Sequence, residues 1–274
     1  MFESAKDVTS RNFHGSVCVM QAMTRSFFLF LALGVASVAV AADTKEVRRT
    51  VSLNPKGRVV VDTYKGTVRV TTWDQPQVEI HVRIESDGWG SNDRELFEGT
   101  EIEIDSSADS LRLKTRYPKA ASWSFMGGGS QPLARYTLRI PRTADLRIKD
   151  YKSEIEVEGL TAALDIDTYK GDVRVRRQDG PLTVKTYKSE ARVDFARYSA
   201  RSSFETYRGT YDISLPRDSR FEIQSDVGRH GSLNTSFQMM MPAGSSTGRN
   251  FRASINGGGP VMNLKAYRGE FNIR

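Results

Sequence analysis

Two residue types recur side by side often enough to do recognition chemistry. A tyrosine followed by a lysine or arginine stands at Tyr151-Lys152, Tyr169-Lys170, Tyr187-Lys188 and Tyr207-Arg208. The same pair returns at Tyr64-Lys65 and Tyr267-Arg268. Rings offer apolar and π surface, and the cations beside them offer charge. An aromatic row next to a basic row suits a linear acidic polymer. Rings in a row can equally stack on one another and hold a fold together. The candidate binding stripe is Tyr151, Tyr169, Tyr187 and Tyr207 with Lys152, Lys170, Lys188 and Arg208.

Other chemistries find little support. Beyond residue 41 the only histidines are His81 and His230, and no cysteine follows Cys18. Neither histidine has a partner at ligand spacing, so no metal and no cofactor are expected. The glycine runs at 127–129 and 257–259 lack the Gly-Lys-Ser/Thr of a phosphate loop and the Gly-x-Asp of calcium-binding repeats. No Gly-x-Ser-x-Gly is present. Glu154, Asp172, Glu190 and Glu270 share one repeat position. They therefore form a charged face instead of the convergent carboxylate pair of a glycosidase. The expectation is a non-enzymatic protein. A glycan-active hydrolase or lyase on the same scaffold is the alternative, since a fold can assemble a site that no motif announces.

The elements that position the stripe come from the repeat itself. Tyr151, Tyr169, Tyr187 and Tyr207 are 18, 18 and 20 residues apart. A degenerate copy, Ser225-Asp226-Val227-Gly228, follows with Asp226 at the tyrosine position. Three residues before each tyrosine stand Val61, Ile148, Ile166, Val184, Phe204 and Leu264. Four after stand Val68, Ile155, Val173, Ala191, Tyr211 and Phe271. Polar residues alternate with them. Period two means strands with one buried face. Each unit reads strand, tight turn at Lys-Gly/Ser, strand, turn. One such unit cannot cover its own apolar face, but stacked units can. The expected fold is all-β: a parallel β-solenoid with about two strands and 18–20 residues per rung. Two residues before the tyrosine, Lys149, Asp167, Lys185 and Glu205 alternate in sign, as stacked rungs require. Further strands are expected at 78–85, 101–105, 111–115 and 136–140, with loops at 86–93, 119–131 and 239–250.

The chain has 274 residues and a net charge of +7. Its one long apolar run, Phe27 to Ala41, follows Arg25 and ends in Ala39-Val40-Ala41. That run is short for a membrane span and fits a secretory signal, with cleavage after Ala41 or Ala42. Residues 1–22 fit no signal pattern, so translation is expected to begin at Met20 or Met23. The expected products are a signal peptide over 1–41 and one domain over 42–274. The latter keeps 37 Lys and Arg against 31 Asp and Glu, a net +6. It loses Cys18 and any need for disulfides. No transmembrane segment is expected after processing. The expected location is the periplasm or the cell surface. The expected partner there is an acidic envelope polysaccharide or another envelope protein, not nucleic acid.

These residues resemble a known group. Repeated strand–(Tyr-Lys)-Gly–strand units, Trp73-Asp74 before the strand at Val78, and Ser214-Leu215-Pro216 before that at Phe221 carry the likeness. So does the close: Gly257-Gly258-Gly259, Met262-Asn263-Leu264, then Tyr267-Arg268-Gly269 and a last strand. Over about residues 46–274 the chain is similar to the DUF4097 family of adhesin-like β-solenoid proteins. The family implies export, a β-solenoid and an envelope or adhesion role, and supplies no active-site residues. Where the family often has Ser-Gly or Asn-Gly in the turn, this chain has Tyr-Lys/Arg before Gly or Ser.

Overall fold

The computed structural model describes residues 43–88, 90–118, 129–242 and 250–274. The expected leader over 1–41, its cleavage point and its alternative starts lie outside them. So do 119–128 and 243–249 of the two later loops.

The described chain is all-β. Strands β1 (Thr44–Ser52), β2 (Arg58–Asp62), β3 (Lys65–Trp73) and β4 (Gln77–Glu85) precede helix α1 (Ser91–Glu98). After it come β5 (Glu101–Ser106), β6 (Ser110–Arg116), β7 (Leu133–Pro141) and β8 (Asp145–Glu158). Next are β9 (Leu164–Lys170), β10 (Val173–Gln178), β11 (Leu182–Phe195) and β12 (Ser202–Ser214). The last are β13 (Phe221–Val227), β14 (Ser232–Thr235), β15 (Asn250–Ile255) and β16 (Val261–Ile273). All belong to one hydrogen-bonded sheet system.

The repeat in the sequence becomes a column in space. β8 pairs in parallel with β9 and β10, both pair with β11, and β11 pairs with β12, then β12 with β16. The pairing puts Val61, Ile148, Ile166, Val184, Phe204 and Leu264 on top of one another. A second column holds Val68, Ile155, Val173, Ala191, Tyr211 and Phe271. Every one of these residues is buried. Each large apolar side chain taken out of water contributes about 1.5–3 kcal/mol, which is why the period is held so strictly.

Four features depart from the simple repeat. First, the Lys-Gly/Ser corner is not a turn that ends a strand. β8, β11, β12 and β16 run through it unbroken, and the ladder skips only the tyrosine. The unbroken strands carry Ser153, Ser189, Gly209 and Gly269 at the corner, whereas the strand breaks between β9 and β10 at Gly171. Gly171 has φ +115 and Gly209 φ +154, and a Cβ on either would run into the carbonyl of Ser153 or Ser189 on the neighbouring strand. Glycine is thus needed where the corner packs against the carbonyl of a serine on the neighbouring strand.

Second, the ends of the stack are antiparallel: β4 joins β7 and β1, β5 joins β6, and β15 joins β13. Third, spatial order departs from chain order. β16 inserts between β12 and β13. Fourth, the loop expected over 86–93 runs into α1. Leu96 and Phe97 bury the helix's apolar side, and the Asp93 carboxylate accepts the Gly90 N–H at 2.9 Å and the Ser130 N–H at 2.7 Å. So short a helix gives too few periodic positions to be seen in sequence.

Candidate functional site

Around each corner the chain sorts its side chains by alternation. The residue before the tyrosine points inward: Thr63, Thr168, Thr186 and Thr206 are buried. Their hydroxyls are satisfied locally, Thr186 bonding Thr206 at 3.0 Å and the Tyr211 hydroxyl at 2.9 Å. The tyrosine and the cation that follow point outward.

The outward tyrosines form one stack. Tyr64, Tyr151, Tyr169, Tyr187, Tyr207 and Tyr267 lie face to face, with centroids 4.6–5.0 Å apart and interplanar angles of 2–10°. The four tyrosines of the candidate stripe are therefore together, and Tyr64 and Tyr267 extend them at either end. The spacing is that of neighbouring strands, about 4.8 Å, so the backbone imposes it. Such a stack uses up its own ring faces. Inner rings offer a ligand only edges and hydroxyls, so Tyr151, Tyr169, Tyr187 and Tyr207 are not a platform for stacking sugars. They act first as a structural spine. Burial, then the neighbouring phenols of Tyr187 and Tyr151, push the Tyr169 phenol up from its ordinary pKa.

The cations form the adjacent row. Lys65, Lys152, Lys170, Lys188, Arg208 and Arg268 pair level by level in the strand register. Lys65 is tied to Asp87 and to Ser130 Oγ at 3.0 Å. Among the described residues, Lys152, Lys170, Lys188, Arg208 and Arg268 have no ion-pair partner within 4.0 Å. Acids two residues on, Glu154, Asp172 and Glu190, make a parallel row next to one another. Glu270 is separated from them by Thr210.

The row on the other side of the tyrosines behaves oppositely. The alternation seen at Lys149, Asp167, Lys185 and Glu205 runs on through strands remote in sequence. In spatial order it reads Glu103, Lys114, Asp62, Lys149, Asp167, Lys185, Glu205, Lys265, Asp226. No two like charges are neighbours. Lys265 and Glu205 meet at 3.0 Å, and that bond raises the Lys265 pKa. Between this row and the tyrosines lies a groove of about 690 Å³, lined by Asp167, Lys185, Glu205, Lys265 and Asp226 on one side and by the rings on the other.

Register also corrects one alignment. Asp226 pairs with Lys265 and Val227 with Ala266. Gly228, not Asp226, therefore stands beside Tyr267, and Asp226 belongs to the alternating row. Counting from Tyr207 gave the wrong offset because the partner strand is β16, which lies later in the chain. Tyr117 was also missed: it closes the Tyr64 end edge-on at 6.0 Å and 70°. It carries no repeat signature that could have shown it.

One corner differs inside. Asp150 replaces threonine and accepts hydrogen bonds from Ser153 N at 2.7 Å, Ser153 Oγ at 2.6 Å and Thr168 Oγ1 at 2.9 Å. Burial outweighs these bonds and pushes its pKa up. Its neighbours are hydroxyls, not a second carboxylate.

Among the described residues there is no His, Cys, Asp and Glu cluster able to hold a metal, and no helix is long and apolar enough to cross a membrane. His81 sits 3.6 Å from Glu46 on the β1–β4 edge, and His230 is exposed after β13.

The class these features define is an all-β protein of stacked, repeated strands with a polar outer face. No family model matches the chain, and no curated protein matches it. Its fold is similar to that of a candidate cell adhesion protein from Clostridium sporogenes. The TM-score is 0.50 at 13% identity, covering 84% of this chain and 99% of that one. A candidate adhesin from Bacteroides fragilis matches with a TM-score of 0.34 at 14% identity, covering 84% of this chain and 97% of that one. The first is a likeness of fold alone.

Proposed function

We propose that this protein is a non-enzymatic, adhesin-like module of the cell envelope, built as a parallel β-solenoid and akin to the DUF4097 group. Its row of unpaired cations holds a linear acidic polymer, such as an acidic polysaccharide, laid along the stack. One observation carries this reading: the contrast between two neighbouring rows. The row of alternating sign shows that this sequence can neutralise its rungs when only stability is at stake. The row from Lys152 to Arg268 keeps one sign at every level, where like charges in register repel. A ligand bearing regularly spaced negative charge would relieve that repulsion.

The leader-like segment over 1–41, read from the sequence as a signal peptide ahead of an exported domain over 42–274, fits the same reading. The candidate adhesion name of the Clostridium protein fits an envelope role. The tyrosines position the cations and keep the row straight.

The test compares two variants carrying comparable charge removal. Lys152→Gln, Lys170→Gln, Lys188→Gln and Arg208→Gln together should abolish binding of polygalacturonate while leaving the fold intact. Lys149→Gln, Lys185→Gln and Lys265→Gln together, from the alternating row, should leave most of it. Equal binding by the first variant and the parent would reject the site.

A further inference from the structure

The two ends of the tyrosine stack are not alike. At one end the terminal ring, Tyr64, is closed by Tyr117 set edge-on against it. At the other, Tyr267 stacks on Tyr207 alone. The next strand level beyond it is β13, and the residue that comes level with Tyr267 is Gly228, whose N–H bonds the Ala266 carbonyl at 2.6 Å. The atoms nearest a Cβ placed on Gly228 would be backbone atoms of Tyr267 and Ala266, at 3.0–3.3 Å. The seventh place in the stack thus has backbone beneath it and no ring in it. Tyr267 is accordingly the most exposed of the six, at 51%, against 37–39% for Tyr64, Tyr151 and Tyr207. Among the described residues no other ring pairs with it.

The guanidinium of Arg268 lies 5.7 Å from the Tyr267 centroid. That is farther than the 4.6–5.0 Å between the stacked ring centroids. The equivalent cations Lys170 and Lys188 sit 5.5 and 6.0 Å from rings whose two faces are both taken by neighbouring tyrosines. They must lie beside those rings, and Arg268 holds the same register.

We infer that the open face of Tyr267, above Gly228, is a binding step for one pyranose ring of a saccharide. The apolar C–H face of a sugar stacks on an exposed aromatic face, while its hydroxyls need donors and acceptors at the rim. Asp226 and Lys265 supply an acceptor and a donor there. Both line the groove that leads to Gly228 and Tyr267. The site deepens the envelope-glycan reading and rests on it for its ligand class, but not on the cation row. Its binding should therefore be insensitive to salt.

The experiment is saturation-transfer and chemical-shift NMR on the full protein with a panel of neutral gluco-, galacto-, manno- and N-acetylglucosamine oligosaccharides. At least one should bind, shifting the Tyr267 ring signals. Tyr267→Ala should weaken that binding tenfold or more, and Tyr267→Phe should keep it. Tyr64→Ala, which removes the capped terminal ring, should leave it unchanged. The quadruple Gln variant of the cation row should bind the neutral sugars like the parent, so this site and the polyanion site fail separately. No binding by any neutral sugar would overturn the inference. So would equal loss in Tyr64→Ala, which would show that only stack rigidity matters.

Discussion

Asp150 stands where four other corners carry threonine, and it shows how far a single position can depart from the repeat. Its carboxylate is surrounded by hydroxyls and the backbone N–H groups of Ser153 and Tyr151, yet burial still dominates and raises its pKa. Between the unfolded value, about 3.9, and the raised folded value, the folded state holds the extra proton. Stability therefore falls as pH rises through that window, and the full cost persists above it. Asp150→Asn removes the charge but keeps the shape. The variant should gain on the parent in melting temperature as pH is raised from about 3 to about 7. A gap that stays constant, or moves in the parent's favour, would show that the hydrogen bonds outweigh burial. The sequence carries aspartate where Thr63, Thr168, Thr186 and Thr206 stand at four other corners. It could not reveal the consequence, because that depends on Thr168 and Ser153 closing over the carboxyl.

At the scale of elements, the strands were legible because apolar alternation is strict wherever one face is buried. The stack of Tyr151, Tyr169, Tyr187 and Tyr207 followed from spacing alone. What lay hidden was which strand neighbours which. β16 lies beside β12 and pushes β13 outward, so the charge alternation crosses from Glu205 to Lys265 and then back to Asp226. A nine-level ladder assembled from distant segments cannot be counted along the chain. It makes a prediction, however. Lys185→Glu would set three acids in line with Asp167 and Glu205. Each like-charge neighbour costs roughly 0.2–1 kcal/mol, so the variant should lose about 0.5–2 kcal/mol in urea melts at low salt. The loss should shrink in 1 M salt, where the screening length is about 3 Å. A salt-independent loss would mean that packing of the lysine stem, not its charge, matters at that level.

Across the described residues the outward side chains are ordered in rows along the stack. Three rows run side by side: one of alternating charge, one of stacked rings, one of cations. The first two stabilise the stack, and the third opposes it. The sequence placed Lys152, Lys170, Lys188 and Arg208 in line but could not say whether acids nearby pair with them. Geometry leaves them unpaired, with the acids Glu154, Asp172 and Glu190 in a row of their own. The backbone levels that carry neighbouring cations are about 4.8 Å apart, the spacing between strands.

The most direct test is the salt dependence of binding to a linear polyanion, polygalacturonate, between about 50 and 200 mM salt. A ligand that spans several cations releases several counterions, so affinity should fall steeply in a plot of log K against log salt, in the way known for nucleic acids. The parent should show a slope set by about four contacts, and the quadruple Gln variant should show no measurable binding even at the lowest salt. The same steep slope in both proteins would place the bound polymer elsewhere and contradict the account.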